Sequence, residues 1–142
     1  MKARIKWVEG MSFVAESGSG HALVMDAAPD IGGRNLGPRP MELLLMGAGG
    51  CSAIDVMLIL RKARQDVVDC TVDLEAERAE ADPKVFTRIL FRYRVVGRGL
   101  ARPQVERAVK LSKEKYCSAS VMLAKTASIE TTIELVDLTP GG

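Results

Sequence analysis

Histidine is almost absent from this chain: His21 is the only one, and none of the three cysteines, Cys51, Cys70 and Cys117, stands in a C-x-x-C pair. The spacing of a structural zinc site is therefore missing. Aromatic residues make up only 4%, too few to build stacking platforms for bases. A formal net charge of +2 also supplies no basic field for a phosphate backbone, so nucleic acid is not an expected partner. The N-terminal MKARIKWVEG has charge but no continuous apolar core, which reads as an unprocessed, cytoplasmic protein. An odd cysteine count in that compartment argues against a disulfide framework. There is no internal repeat or low-complexity segment, and 142 residues fit one domain, 1–142.

What is present is organised around Gly37–Arg64, GPRPMELLLMGAGGCSAIDVMLILRKAR. Pro38 and Pro40 suit a helix's first turn, where a missing amide donor costs nothing. No proline follows, and Leu43 to Met46 with Ile54 and Val56 to Leu60 are apolar on nearly every side, so the helix is expected to be buried over most of its circumference. Its cationic end, Arg61-Lys62-Ala63-Arg64, complements a helix C-terminus. The run is long enough to cross a bilayer, but Glu42, Asp55 and the glycines interrupt it, which favours a core helix and no membrane. Gly47, Gly49 and Gly50 each cost roughly 1 kcal/mol in a helix. Two reasons for keeping them are compatible: close packing against a neighbour, or access for a partner to the sulfur of Cys51.

Before this run, Ala3–Glu9, Met11–Glu16 and His21–Asp26 read as an antiparallel meander. Ala27–Pro40 is a proline- and glycine-rich loop that brings Arg34 and Arg39 to the helix, either as solvated charges or as partners for an anion or thiolate. After it, 67–80 alternates with Val68, Cys70, Val72, Leu74 and Ala76 on one face and is expected to pair with 85–96 as a long hairpin. Pro103–Tyr116 is an amphipathic helix, Val121–Lys125 a further helical turn, and 129–136 a last strand.

The cysteines differ in setting. Cys70 on an apolar strand face behaves as a small hydrophobe. Cys51 (GGCS) and Cys117 (YCSAS) lie among small residues and serines that leave sulfur accessible. Two such thiols are compatible with a redox pair, with two ligands of a metal, or with plain burial, metal being least supported by the spacing.

The segment SGHALVMDAAPDIGGRNLGPRPMELLLMGAGGCSAIDV, together with KYCSASVMLAKT, resembles the OsmC/Ohr superfamily of thiol-dependent hydroperoxide reductases, above all its OsmC-like branch with a GPxPMELLL...GGC pattern. The resemblance implies an α+β fold, with antiparallel sheets wrapped around two central helices in an intertwined homodimer. It implies a cofactor-free peroxidase whose substrate is an organic hydroperoxide, with Cys51 as peroxidatic thiolate, Cys117 as resolving thiol, and a thiol or dithiol as reductant. It also implies a glutamate ten residues before the first cysteine, hydrogen-bonded to a catalytic arginine. That position here is Met41, and the nearest acid, Glu42, sits one residue later, about 100° around the helix. Arg39 and Glu42 are the site candidates that follow, with Arg34 as the other arginine. The competing expectation is an OsmC-like dimer without efficient peroxidase chemistry, acting as a ligand-binding or redox-responsive stress protein.

Overall fold

The computed structural model describes residues 1–140 and is an α+β fold with two three-stranded sheets. The chain divides into two compact units, one ending at Met46 and the other starting at Gly47.

In the first unit, β1 (Ala3–Glu9), β2 (Ser12–Ser17) and β3 (Ala22–Met25) form the expected antiparallel meander, with Ile5 opposite Ala15 and Phe13 opposite Met25. The Trp7 indole donates to the Gly10 carbonyl at 2.8 Å and closes the first turn. The following loop is wound on a single carboxylate. Asp26, almost fully buried, accepts the backbone N–H groups of Ala27, Arg34 and Leu36 at 2.8, 3.1 and 3.2 Å. Burial alone would raise its pKa, but the three amide donors reverse this and hold it below the usual carboxylate range.

Helix α1 runs from Pro40 to Lys62. It starts at Pro40 rather than Pro38, because a residue preceding proline disfavours helical torsions. Pro38 instead uses its carbonyl to accept the Asp26 N–H at 3.2 Å. Arg39 becomes the N-cap, accepting the Leu43 N–H at 3.1 Å, and Glu42 reaches back to the Arg39 N–H at 2.9 Å, which is half of a capping box.

At its other end α1 closes with two bonds, Gln65 N–H to the Leu60 carbonyl and Arg64 N–H to that of Arg61, both 3.0 Å, with Arg64 at φ +55°. This is a Schellman cap whose left-handed position holds an arginine where glycine is usual. Relieving that conformation by Arg64→Gly is expected to raise unfolding free energy by about 0.5–1 kcal/mol in urea titrations.

In the second unit, β4 (Asp66–Arg78) and β5 (Phe86–Arg98) pair antiparallel as the predicted hairpin, Leu74 opposite Phe91. A bulge between Val67 and Asp69 shifts the alternation by one residue. Val68, expected on the covered face with Cys70, is therefore 49% exposed. Strand β6 (Ser128–Asp137) lies parallel to β5, so this sheet is mixed and the all-antiparallel expectation fails at one edge. The helical crossover between the two strands permits the parallel pairing. Central β5 buries Ile89, Phe91, Tyr93 and Val95 in a core shared with Val56 and Leu60 of α1. The other face carries ion pairs from Arg88 to Glu77 and Glu130, Arg92 to Glu75 and Arg94 to Glu134.

The crossover is α2 (Arg102–Leu111), a π-helical turn (Ser112–Tyr116) and α3 (Ser118–Leu123). The amphipathic helix expected through Tyr116 thus ends at Leu111 in regular form, and α3 starts three residues before the expected turn. Buried Val105, Ala108 and Val109 fix α2 on its apolar side.

The expected burial of α1 over most of its circumference does not occur within one chain: Ala48, Gly49, Ser52, Val56 and Leu60 are its buried residues. Leu44, Ile54 and Leu58 are 53%, 64% and 47% exposed.

Candidate active site

Cys51 lies in the middle of α1, half-buried, as a free thiol. Residues four apart share one helix face, so Asp55 stands one turn beyond it. The third member comes from the crossover. Cys117 is fully buried at the N-cap of α3, where its Sγ accepts the Ser120 N–H at 3.3 Å and the Ser120 hydroxyl at 3.1 Å. The Sγ atoms of Cys51 and Cys117 and a carboxylate oxygen of Asp55 all lie within 4.8 Å of one another. The structure therefore brings the two predicted cysteines together and adds a carboxylate that the spacing of cysteines and histidine does not reveal.

Burial pushes the Cys117 thiol above its ordinary pKa, and the neighbouring Cys51 adds to this, while the Ser120 donors oppose it. The Cys117 thiol therefore holds its proton more firmly than an ordinary cysteine.

Beneath the cysteines runs a buried polar chain. The Tyr93 hydroxyl on β5 and Ser52 Oγ on α1 are 2.5 Å apart, Ser52 Oγ and Ser112 Oγ are 2.8 Å apart, and Ser112 Oγ donates to Asp55 Oδ2 at 3.3 Å. Every buried side-chain N or O atom among the described residues has a partner, so this network closes on itself. None of its members was predicted as a site residue. The available signals are the i+4 step from Cys51 to Asp55, and a lone tyrosine at an inward position of an otherwise apolar strand.

Burial also pushes the Tyr93 phenol up to about 12, against an ordinary 10.0. An unfolded chain releases this proton at lower pH than the folded one, so the folded state loses stability as pH climbs from about 10 towards about 12. We expect Tyr93→Phe to flatten that part of a stability-against-pH curve, measured by denaturant unfolding.

Both readings of the helix glycines find support. A Cβ at Gly49 would come within 2.6 Å of Leu74 Cδ1, so α1 packs closely on the Leu74 side chain here, which would have to shift for any larger residue. Around Gly47 and Gly50 nothing lies within 4 Å of such a Cβ, which leaves open space beside Cys51. Cys70 is half-buried in β4, and burial followed by the Asp69 charge raises its pKa, as suits an inert strand thiol.

The arginines are engaged by carboxylates of the first unit. Arg34 Nη2 donates to Glu9 Oε1 at 2.6 Å, and Arg39 Nη1 to Glu42 Oε1 at 3.4 Å. Glu42 has its pKa lowered chiefly by the Arg39 N–H that it accepts, so it holds the start of α1 as an ionised cap.

Comparison with known proteins agrees with this architecture. The model of the family described as OsmC-like protein matches residues 32–132. Over 136 residues the chain is 52% identical to Protein YhfA of Escherichia coli K12, covering 96% of this chain and 98% of that protein. The crystal structure of a hypothetical protein from Aquifex aeolicus VF5 is similar with a TM-score of 0.84 and 30% identity, over 99% of this chain and 97% of that one. An organic hydroperoxide resistance protein from Legionella pneumophila shares the fold at a TM-score of 0.70 and 17% identity, over 94% and 95% of the two chains.

Proposed function

The chain belongs to the OsmC-like protein family, and from that we propose that it is a thiol-dependent peroxidase of organic hydroperoxides. The observation that carries this reading is the placement of two free thiols, Cys51 and Cys117, with sulfurs within 4.8 Å at the edge of open space.

The chemistry is a two-step cycle. The Cys51 thiolate attacks the peroxide oxygen, the O–O bond breaks, and the alcohol leaves with a proton while sulfur becomes a sulfenic acid. The Cys117 thiol then attacks that sulfur. The S–S bond forms, and the sulfenic oxygen departs as water with the Cys117 proton. A dithiol reductant returns both residues to thiols by exchange. No cofactor takes part in this cycle. The cytoplasm, whose reductants keep thiols free, is the compartment in which it would turn over. The methionines and leucines of α1 favour an organic substrate over hydrogen peroxide.

The same reading makes the protein a homodimer. Leu44, Gly47, Cys51, Ile54 and Leu58 follow one another at alternating steps of three and four residues, the spacing of a helix-to-helix seam. Leu44, Ile54 and Leu58 of that seam are exposed in the single chain, so a second α1 laid along it would cover apolar surface and dry the surroundings of Cys51.

The test is consumption of cumene hydroperoxide and of hydrogen peroxide by reduced protein with excess dithiothreitol, alongside sedimentation equilibrium. Fast turnover that prefers the organic peroxide, from a dimer, is the expected result. Negligible turnover by protein whose thiols titrate fully would overturn the enzyme and favour a redox-responsive binding protein. Monomeric protein at micromolar concentration would overturn the assembly.

A further inference from the structure

We propose that the reduced protein binds one thiophilic divalent cation, of the zinc class, through Cys51 Sγ, Cys117 Sγ and a carboxylate oxygen of Asp55. The inference stands on donor chemistry and geometry alone, and it survives if the peroxidase reading fails.

Two thiolates and a carboxylate are a zinc-type donor set. Bond lengths of about 2.3 Å to sulfur and 2.0–2.2 Å to oxygen place tetrahedral donors roughly 3.4–3.8 Å apart. The three atoms already lie within 4.8 Å of one another, so small side-chain rotations bring them to a common centre. The backbone supplies the arrangement: Cys51 and Asp55 are one turn apart on a single helix, and Cys117 is held by the π-helical turn and the start of α3.

Two of the three donors have outer partners that fix them. Cys117 Sγ accepts two hydrogen bonds from Ser120, the kind of support that stabilises a sulfur carrying negative charge. Asp55 Oδ2 accepts the Ser112 hydroxyl, itself tied to Ser52 and Tyr93. Metal sites orient their ligands through such second contacts, and their loss commonly costs about 10–100-fold in affinity. Within the single chain Cys51 and Asp55 are only half-buried.

The metal here is an occupant and no catalytic cofactor. It holds both sulfurs as thiolates, and it is excluded once they join in a disulfide. Binding is therefore gated by the redox state of the protein.

The experiment is titration of untagged, fully reduced protein with zinc chloride, in competition with a chromophoric chelator, and separately with cobalt chloride. We expect one zinc per chain and, with cobalt, a sulfur-to-metal charge-transfer band with tetrahedral d–d intensity. Asp55→Asn is expected to weaken zinc by at least about tenfold, and protein oxidised with diamide to the Cys51–Cys117 disulfide should bind none. Zinc bound no more tightly by wild type than by the Cys51→Ser/Cys117→Ser double variant would overturn the proposal. So would a cobalt spectrum of the wild type lacking thiolate charge transfer, a readout that needs no variant to fold. Undiminished zinc affinity in folded Asp55→Asn would remove Asp55 from the site.

Discussion

Cys51→Ser is expected to lower organic hydroperoxide turnover by at least about a thousandfold, since an alcohol at this position has neither the anionic fraction nor the polarisable sulfur that O–O cleavage needs. The contrast with Cys117→Ser makes the experiment specific. That variant should consume one equivalent of peroxide per chain and stop, because Cys51 still attacks but its sulfenic acid has no neighbouring thiol to condense with. A sulfenic-acid trap such as dimedone should therefore label Cys117→Ser after peroxide and leave Cys51→Ser unlabelled. Equal turnover in wild type and Cys51→Ser would assign the nucleophile elsewhere. Equal multiple turnover in wild type and Cys117→Ser would show that the external reductant attacks the sulfenic acid directly.

Gly37→Ala carries a large expected stability loss. A Cβ at this position would lie 2.1 Å from the Val24 carbonyl oxygen and 2.8 Å from its carbon. Those are backbone atoms of β3, and they have no flexible end that can swing aside. Because Gly37 stands between the Asp26-centred loop and the N-cap of α1, the added methyl group must displace β3 or the start of the helix. A cost of about 3 kcal/mol or more is expected, at the upper end of overpacking effects, read as a fall in urea midpoint at constant m-value. Gly50→Ala, in α1 but not among the seam residues Leu44 to Leu58, is the control. It adds the same methyl where nothing lies within 4 Å and places alanine in a helix, so it should be neutral or stabilising by up to about 1 kcal/mol.

Much of this architecture was legible because it is periodic. Alternation located all six strands within a few residues of their observed bounds, proline with a following apolar run located α1, and proline with an amphipathic pattern located α2. What the periodic signal missed arises from single-residue departures. The bulge near Val67 moves Val68 out to solvent, and nothing in VVDCTVDL marks where the ladder slips. The parallel setting of β6 depends on where the crossover delivers the chain, a matter of tertiary packing.

The candidate site divides in the same way. Cys51 and Cys117 stand out by their similar settings, 66 residues apart, but it is the family resemblance that implies they act as a pair. Asp55, Ser52, Ser112 and Tyr93 come from three elements, and their hydrogen bonds exist only after α1, the π-helical turn and β5 have packed. Ser52 and Ser112 in particular look like surface residues in sequence and prove fully buried. The arginines are open to two readings in sequence, solvated charges or partners for a thiolate. Charges beside a cysteine helix suggest a thiolate partner, yet the contacts observed for Arg39 and Glu42 cap the helix.

The π-helical turn between Ser112 and Tyr116 makes the position of Cys117 a matter of counting. The Cys117 N–H bonds to the Ser112 carbonyl, five residues back, so this turn contains one residue more than regular helical winding would use. Removing any one of the five would restore ordinary winding while turning everything downstream by about 100° and drawing it back by about 1.5 Å. The chemical identity of Lys113, Glu114 and Lys115 thus matters less than their number. Substitution of these three leaves the sulfur where it is, whereas a single deletion among them points it away from Cys51 with every functional side chain still present in the sequence.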